Sequence, residues 1–430
     1  MNPQAEELNR IIREKNPAVY ELLSGRGKNI FFPKKGILGQ TADAKGTRIN
    51  ATIGAAVEDD GSPMRLDSLT EKVKLDPALV FPYAPSFGRP DIRARWKEMI
   101  YEKNPGLGGR TISLPVVTNA LTHGVSMAGY LFVNPGDEVI VSDLFWGNYK
   151  LILNHAYGAE LREYPLFKDD RLDLEALKTA LEAGGSGKKV LILNFPNNPT
   201  GYSPTFEEAK AIACIIREVA EGGSRIVVFA DDAYFGLVYE EGIERQSIFT
   251  YLSDLHERVL AVKIDGATKE DYVWGFRVGF ITYGVKGGDE RLYTALEAKT
   301  AGAVRGNISN AANISQSLLL SAYEHPDYQE QKAAKFRIMK ERYLAVREAL
   351  KNDAYARVFR TLPYNSGYFM CVRLAEGIDG EQLRKLLIEK YGIGVINLGN
   401  EIRIAFAAVA AADVPELFEG IYQACCELQQ

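Results

Sequence analysis

The chain is poor in the residues that build metal centres and disulfide frameworks. Its 430 residues include 4 cysteines and 4 histidines. The cysteines show no metal-ligand spacing, and Cys425 and Cys426 are adjacent, which is a poor geometry for pairing with each other. The histidines are scattered, so we expect no metal site. So few cysteines in a chain of this length favour a reduced, cytoplasmic setting.

Long apolar runs and an excess of positive charge are also missing. No run approaches the roughly 18 apolar residues of a transmembrane helix. The polar N-terminal stretch lacks the apolar core of a secretory signal. The formal net charge is -5, with acidic and basic residues mixed along the chain. We therefore expect no nucleic-acid partner and no membrane partner.

What the sequence does contain is an ordinary globular composition, with 46% hydrophobic and 25% charged residues. Short apolar, β-branched runs alternate with helix-length segments, of which 204–220 is the clearest. The runs that predict strands are 114–119, 137–143, 188–195, 224–232, 259–266 and 277–284. This alternation predicts an α/β fold with a mostly parallel sheet covered by helices, in which the last run is antiparallel.

Both ends of the chain differ from this central pattern. Residues 1–25 predict an amphipathic helix, and residues 26–66, rich in Gly, Lys and Pro, predict an extended, loop-rich arm. A long helical pattern covers 327–351. Short strand patterns follow it, and a closing helix is expected at 412–428. These features predict a smaller α+β unit.

The length of the chain exceeds the usual size of a single compact core, so two domains are expected. The change of pattern places a boundary near residues 325–330. We therefore assign residues 66–326 to a large α/β domain. Residues 1–65 and 327–430 would form the small domain with its N-terminal arm.

Polar residues follow three predicted strands, at the ends where open α/β sheets bind their ligands. The strand at 188–195 runs into the turn-forming sequence PNNPTG, which contains Asn198. The next strand ends at Asp231, three residues before Tyr234. The third leads to Lys269, eight residues before Arg277. Taken singly, such residues are typical of a turn, a helix cap and a surface charge.

Together, their order and spacing are similar to those of the fold-type I aminotransferases that use pyridoxal phosphate. The likeness is nearest to the class I group that contains aspartate aminotransferase, and it runs from about Asn50 to Phe406. The resemblance implies a seven-stranded sheet in a large domain that binds the cofactor pyridoxal 5'-phosphate. It also implies amino-acid and 2-oxo-acid substrates and a homodimer with shared active sites.

The resemblance identifies Lys269 as the residue that holds the cofactor as an imine. Its freed amine would carry the proton between substrate and cofactor, which requires a neutral amine. Burial and nearby cationic groups should therefore lower the pKa of Lys269. The rival Lys263 lies inside a strand pattern and has no arginine at the family's spacing, so we interpret it as structural. Asp232 is likewise expected to point away from the site.

Five residues are implied to surround the cofactor ring. Asp231 matches the carboxylate that keeps the ring nitrogen protonated and is, with Lys269 and Tyr234, a predicted catalytic residue. Tyr234 and Asn198 would donate hydrogen bonds to the phenolic oxygen. Trp146 matches the aromatic residue that stacks on the ring. Tyr149 stands where the family often has histidine, and we expect it to donate to Asp231 instead.

The cofactor's phosphate calls for backbone amides at a helix N-terminus and for a cation. Arg277 matches the family's cation. The amides of Ala120 and Leu121 match the phosphate loop, in which Gly is common at the position of Ala120. The family often has Ser at the position of Gly266, so Thr268 is our candidate for the phosphate-binding hydroxyl.

Substrate binding and the subunit interface are implied by four further matches. Arg403 matches the arginine that binds the α-carboxylate, and Gly54 lies in a segment similar to the loop that closes over the substrate. Tyr83 matches the tyrosine that reaches the neighbouring subunit's phosphate. Arg305 has the spacing of an interface-crossing arginine that binds a distal carboxylate, although related groups with other substrates also carry an arginine nearby. The predicted substrate-binding set is Arg403, Gly54, Asn198, Trp146 and Arg305.

These matches predict a transaminase that moves an amino group between an L-amino acid and a 2-oxo acid, with aspartate, glutamate or aromatic amino acids as donors. A lyase, β-decarboxylase or racemase on the same fold is the alternative, because the cofactor does the electronic work in each. An aminotransferase-like transcription regulator is disfavoured. It would need a basic N-terminal module, and the roughly fifty residues ahead of the resemblance are not strongly basic.

Overall fold

The computed structural model describes residues 1–15, 17, 20, 23, 25–29, 36–70 and 75–429. In chain order, the strands are β1 (Ile49–Asn50), β2 (Val116–Thr118), β3 (Glu138–Ser142), β4 (Glu160–Tyr164), β5 (Phe167–Lys168), β6 (Arg171–Leu172), β7 (Lys188–Asn194), β8 (Arg225–Asp231), β9 (Val259–Asp265), β10 (Gly279–Gly284), β11 (Phe359–Thr361), β12 (Met370–Leu374), β13 (Ile393–Gly394), β14 (Ile396–Asn397) and β15 (Glu401–Ile404). The α-helices are α1 (Pro3–Lys15), α2 (Gly25–Asn29), α3 (Ile37–Asp43), α4 (Asp67–Thr70), α5 (Pro77–Val80), α6 (Pro90–Lys103), α7 (Ala120–Phe132), α8 (Leu174–Glu182), α9 (Phe206–Glu221), α10 (Phe249–Leu252), α11 (Ala267–Glu270), α12 (Glu290–Ile308), α13 (Asn313–Tyr323), α14 (Tyr328–Ala349), α15 (Gly380–Leu386) and α16 (Val414–Leu428). Short 3-10 helices span Pro105–Leu107, Asp353–Arg357, Phe406–Ala408 and Ala411–Asp413, and π-helical turns span Lys150–Ala156 and Leu387–Tyr391.

The central sheet has seven strands in the order β2-β10-β9-β8-β7-β3-β4. Five consecutive strands are parallel to one another: β9, β8, β7, β3 and β4. Strand β10 runs antiparallel to both β9 and β2. Strands β7, β8 and β9 are buried almost throughout, as expected for a sheet covered on both faces. The predicted mostly parallel α/β fold and its antiparallel strand are therefore confirmed.

Connections at one edge of this sheet bring short helices onto the strand ends. Helix α7 begins at Ala120, two residues after β2 ends, and α11 begins at Ala267, two residues after β9 ends. The ends of β7 and β8 lie at the same edge, because Asn194 pairs with Asp231 across the parallel ladder. Helix α6 is fixed by the Trp96 ring, which stacks on Phe280 of β10 at 4.2 Å.

A four-stranded antiparallel sheet, β11-β12-β15-β14, forms the second layer of structure. Its helices include α14, which packs against α16. Strand β1 pairs in parallel with β13, so the segment ahead of the large sheet is tied to the C-terminal part of the chain. The smaller α+β unit is thus present. The boundary near residues 325–330 and the two-domain division stay predictions.

One local expectation is wrong, and one strand of the large sheet was not predicted. The expected arm at 26–66 is not simply extended, because α2 overlaps its start and α3 (Ile37–Asp43) lies within it. Helix α3 is held by tertiary contact with β14, where Gln40 Nε2 donates to the Asn397 carbonyl at 2.9 Å, and such contacts override local propensity. Strand β4 has no counterpart among the predicted strands, because its sequence ELREY lacks an apolar run at the edge of the sheet.

The first predicted helix is confirmed over Pro3–Lys15. The rest of that prediction falls partly on residues 16, 18, 19, 21, 22 and 24, which lie outside the described residues. None of the helices in the described ranges combines the length and the apolar character needed to cross a membrane.

Candidate active site

A cavity of about 460 Å³ opens at the carboxyl ends of β7, β8 and β9. All the sequence-predicted cofactor and substrate residues line it except Tyr83 and Arg305. Those that meet there are Gly54, Ala120, Leu121, Trp146, Asn198, Asp231, Tyr234, Thr268, Lys269, Arg277 and Arg403. Residues spread over most of the sequence therefore converge on one concave site, which is the usual place for a ligand in such folds.

Lys269 lies in the single turn of α11, at the back of this cavity. Its Nζ lies 5.0 Å from the centre of the Tyr234 ring. Burial lowers the pKa of Lys269, Asp231 opposes the fall and Arg277 adds to it, and the net pKa is about 8. Tyr368 fixes the backbone by donating from its hydroxyl to the Lys269 carbonyl at 3.0 Å. The lysine is thus a half-buried amine whose pKa lies well below that of a free lysine.

Asp231 ends β8 and is only 3% exposed. The Tyr149 hydroxyl donates to its Oδ2 at 2.6 Å, and the Ala233 amide donates to its Oδ1 at 3.1 Å. The expected bond from Tyr149 is therefore present. Burial raises the pKa of Asp231, while the Tyr149 hydrogen bond and Lys269 lower it.

The neighbouring Asp232 faces a different set of partners. It binds Lys263 Nζ and accepts a hydrogen bond from Ser247 Oγ at 2.6 Å. Lys263 also lies 3.2 Å from Asp265 Oδ2 and is 1% exposed. Burial raises the pKa of Asp232 to about 6, although Lys263 opposes the rise. The expectations that Lys263 is structural and that Asp232 points away from the site agree with this geometry.

One corner of the cavity is rich in hydrogen-bond donors and strained in its backbone. Ala120 and Arg277 adopt left-handed conformations, with φ of 64° and 56°, which cost non-glycine residues about 1 kcal/mol or more. A Cβ on Gly279 would lie 2.7 Å from the carbonyl carbon of Ala120, so the two loops pack in direct contact. Ala120 therefore holds the backbone shape for which the similar loop often uses glycine.

Two donors of the cavity lack protein acceptors. Thr268 Oγ1 and Trp274 Nε1 are buried and have no hydrogen-bond partner among the described residues. The Arg277 guanidinium donates to the Trp274 carbonyl at 3.3 Å and forms no ion pair within the described part of the chain. Unsatisfied buried donors beside a helix N-terminus suit an anion. The residues present therefore fit a phosphate group.

The opposite wall is built where the small sheet meets the PNNPTG loop. The amides of Asn365 and Ser366 donate to the Gly201 carbonyl at 2.9 and 2.8 Å. A Cβ on Gly201 would lie 1.9 Å from the Phe369 carbonyl oxygen, so only glycine allows this approach. Phe369 leads directly into β12, and β12 pairs with β15, so the contact also places Arg403 of β15 beside Asn198.

Arg403 is a buried cation that forms no ion pair with any described residue. It is 3% exposed, and its guanidinium donates to Asn198 Oδ1 at 3.3 Å and to the Thr52 carbonyl at 3.1 Å. Its Nε has no partner in the same part of the chain, and the group lies 4.4 Å from the centre of the Phe369 ring. Burial lowers the pKa of Arg403. Since a buried charge needs compensation, this arginine suits an anionic ligand.

A second cavity, of about 580 Å³, adjoins the first and shares Trp146, Asn198 and Arg403 with it. Trp146 meets Tyr149 edge to face, with 5.6 Å between ring centres. This second cavity also contacts Gln40 of α3 and Asn397 of β14. It gives a ligand held at Arg403 room to extend away from Lys269.

Tyr83 and Arg305 are not brought into the cavity of this single chain. Tyr83 is 90% exposed, and Arg305 at the end of α12 donates to Ser309 Oγ at 3.0 Å. Sequence reasoning also missed several lining residues, among them Asn194, Trp274 and Phe369. Asn194 had a signal, because it ends the strand ahead of PNNPTG; it donates to the Asp231 carbonyl at 2.9 Å and accepts from the Asn198 amide at 2.8 Å.

A seven-stranded α/β sheet with a lysine and a donor-rich corner at its strand ends is the arrangement of a fold-type I pyridoxal-phosphate enzyme. The family model for aminotransferase class I and II matches residues 61–421. The chain therefore belongs to the class I and II aminotransferases, enzymes that use pyridoxal phosphate to transfer amino groups. The lyase and decarboxylase alternative is not favoured.

Individual relatives agree with this assignment. The chain is 27% identical to an aspartate aminotransferase of Salmonella typhi over 398 residues, which is 88% of this chain and 94% of that protein. It is 27% identical to a probable N-acetyl-LL-diaminopimelate aminotransferase of Bacillus subtilis over 204 residues, 46% of this chain and 47% of that protein. Its fold is similar to an aminotransferase of Anaerococcus prevotii (TM-score 0.80, 24% identity, 90% of this chain and 95% of that one). It is also similar to a kynurenine aminotransferase of Pyrococcus horikoshii (TM-score 0.79, 18% identity, 96% and 98%).

Proposed function

We propose that the protein transfers amino groups between L-amino acids and 2-oxo acids at Lys269, with Arg403 holding the α-carboxylate. The observation that carries this proposal is that one cavity holds the half-buried amine of Lys269 and a buried guanidinium, Arg403, that has no counter-charge among the described residues. Both substrates of a transamination carry a carboxylate next to the reacting carbon. One arginine therefore serves both halves of the exchange.

When bound, pyridoxal phosphate supplies an aldehyde that exchanges with amines and a ring that accepts electrons from Cα. Lys269 is the proposed anchor and proton carrier. With a pKa of about 8, roughly a tenth of its amine is neutral at pH 7, far more than for an ordinary lysine. Asp231 would hold the proton of the ring nitrogen. Its partner Tyr149 is an uncharged donor, so the carboxylate keeps its negative charge for the ring.

The other proposed contacts follow from the positions of the donors. Tyr234 and Asn198 would donate to the phenolic oxygen, and Trp146 would cover one face of the ring. The amides of Ala120 and Leu121, the Thr268 hydroxyl and the Arg277 guanidinium would hold the phosphate. The Thr268 hydroxyl has no partner, and Arg277 no carboxylate, among the described residues, and both observations support this assignment.

We further propose a homodimer in which Tyr83 and Arg305 act on the neighbouring subunit's site. Phe81 and Tyr83 are large apolar side chains that are 82% and 90% exposed. Such exposure is typical of a surface that a second copy covers. Two roles are open to Arg305 in such a dimer. It would bind a distal carboxylate if the donor is a dicarboxylic amino acid, and it would serve an aromatic donor otherwise. The four free cysteines support a cytoplasmic location.

A single-turnover experiment tests the reaction. The cofactor-loaded protein is mixed with one amino acid at a time and no acceptor, and the 2-oxo acid released is counted. We expect one equivalent of oxo acid per site, followed by continuous turnover once a second oxo acid is added. Lys269→Ala is the control and should release none. Release of ammonia, CO2 or sulfide without an acceptor would contradict the proposal. So would the absence of any released 2-oxo acid across a broad panel of amino acids.

A further inference from the structure

Two buried carboxylates, Glu270 and Asp271, directly follow Lys269, and the roles proposed above use neither of them. Glu270 is 5% exposed and Asp271 is fully buried. Burying a carboxylate is costly unless charge and hydrogen bonds compensate it. Their position beside Lys269 therefore requires partners from elsewhere in the fold.

Glu270 is paired with two lysines from different helices. Lys103, the last residue of α6, donates to its Oε1 at 2.9 Å. Lys332, in the second turn of α14, donates to the same oxygen at 2.6 Å. Burial by itself raises the pKa of Glu270, but the two lysines outweigh it and lower the pKa to about 2. Glu270 is thus held ionised in the interior.

Asp271 shares one of these lysines. Its Oδ1 accepts from the Tyr328 hydroxyl at 2.6 Å, and its Oδ2 accepts from the Tyr323 hydroxyl at 2.9 Å. Lys332 Nζ lies 3.3 Å from Oδ1. We call Lys103, Lys332, Glu270 and Asp271 the charge clamp. It contains two positive and two negative groups, so its charge is balanced.

The clamp acts on a turn that cannot support itself. Helix α11 has 4 residues, too few for a stable isolated helix, and its Lys269 carbonyl is held by Tyr368. The ionisable groups that face Lys269 are Asp231 from β8, Tyr234 from the loop after it, and Arg277 from the loop before β10. An uncompensated carboxylate added to this set would favour the protonated lysine nitrogen.

We propose that Lys103 and Lys332 are positioning residues for Lys269. They seat the Glu270–Asp271 turn on α6 and α14, and they cancel its negative charge beside the reactive lysine. Because α14 begins at the predicted domain boundary, the clamp also ties the lysine turn to the start of the small domain. The inference rests on the proposed role of Lys269 as the cofactor's anchor.

A spectroscopic pH titration of the cofactor-loaded protein tests the clamp. The absorption band of the lysine-bound cofactor changes when its nitrogen loses a proton, and the midpoint of that change is measured. Lys332→Met leaves the clamp with one excess negative charge, so we expect the midpoint to rise by about one pH unit. Lys332→Arg keeps the charge, and Lys332→Met with Glu270→Gln restores the balance; both should return the midpoint to within a few tenths of a unit of the unaltered protein.

Lys335→Met is the matched control. Lys335 lies one turn further along α14 and pairs with Glu58 instead of the clamp, so its removal should leave the midpoint unchanged. If Lys332→Met does not fold, Lys103→Met makes the same test from α6. An unchanged midpoint in a folded, cofactor-loaded Lys332→Met protein would overturn the inference. So would a double variant that keeps the single variant's shift. Absence of a lysine-dependent band in the unaltered protein would instead overturn the proposed function.

Discussion

Two lysines and two aspartates lie near the ends of the neighbouring strands β8 and β9, but the polar groups that contact them differ. Lys263 and Asp232 bind each other, and Asp265 and Ser247 complete their coordination. Lys269 has no ion-pair partner within the described residues, and Asp231 is satisfied by a tyrosine and an amide. Asp231, Asp232 and Lys263 are buried and Lys269 is half-buried, so burial alone does not account for the difference. The difference is that one pair is compensated within the protein, whereas the other leaves an amine available for chemistry.

Replacing Lys269 should give the largest effect on activity. Lys269→Ala removes the proposed anchor and proton carrier, so we expect the rate of 2-oxo acid formation to fall by about a thousandfold or more. Stability should be retained, because no buried ion pair is broken. The measurement is single-turnover oxo-acid release together with thermal unfolding. A variant with near-normal turnover would show that another lysine does the work.

Replacing Lys263 should lower the stability of the protein and leave its activity nearly unchanged, the opposite of the result expected for Lys269. Lys263→Met leaves Asp232 and Asp265 buried without a cation, so we expect the free energy of unfolding to fall by about 3–5 kcal/mol. Urea unfolding measures the loss, and the activity per folded molecule should change little. The exposed Lys299→Met is the control and should stay within about 0.5 kcal/mol. A stable but inactive Lys263→Met protein would reverse our reading of the two lysines.

Arg403 resembles Lys269 in this comparison, because it is a cation with no ion-pair partner among the described residues. Arg403→Lys keeps the charge but loses the paired donors, so kcat/KM should fall about a hundredfold, equal to about 3 kcal/mol. The loss should be similar for amino-acid and oxo-acid substrates, since both present the same carboxylate. Arg373→Lys, on the adjacent strand and paired with Glu401, is the control and should be nearly neutral. A loss restricted to one substrate would argue against α-carboxylate binding.

Tyr149 gives the smallest expected effect. Tyr149→Phe removes the hydrogen bond to Asp231, and bonds to charged groups contribute about 1.5–3 kcal/mol. We expect kcat to fall about tenfold, with the fold unchanged by circular dichroism. Tyr130→Phe, on the exposed face of α7, should have no effect. A fully active Tyr149→Phe enzyme would mean that Asp231 needs no such support.

The sequence alone predicted those residues of the site whose order and spacing along the chain form a recognisable pattern. Asn198, Asp231 and Lys269 lie at or just after the ends of successive strand patterns, and parallel strands bring such ends to one edge of a sheet. Arg277 precedes the antiparallel β10, whose start lies at the same edge. The expected role of Tyr149 as a donor to Asp231 also agrees with the structure. Their roles in binding cofactor and substrate stay predictions.

What the sequence could not reveal depends on contacts between distant segments. Lys103 and Lys332 meet at Glu270 although they lie far apart in the chain, and nothing local marks either as buried. Trp274 matched no expected position, and only the structure shows that its indole N–H lacks a partner. Helix α3 and edge strand β4 escaped prediction for a similar reason, because tertiary packing and pairing fix them more than composition does.

The most direct test of the central claim is to find which lysine holds the cofactor. The protein is loaded with pyridoxal phosphate, reduced with borohydride to fix the link as a stable amine, digested, and analysed by mass spectrometry. The account predicts the adduct on the peptide that contains Lys269 and none on the peptide that contains Lys263. An adduct on Lys263, or on any lysine other than Lys269, would contradict it.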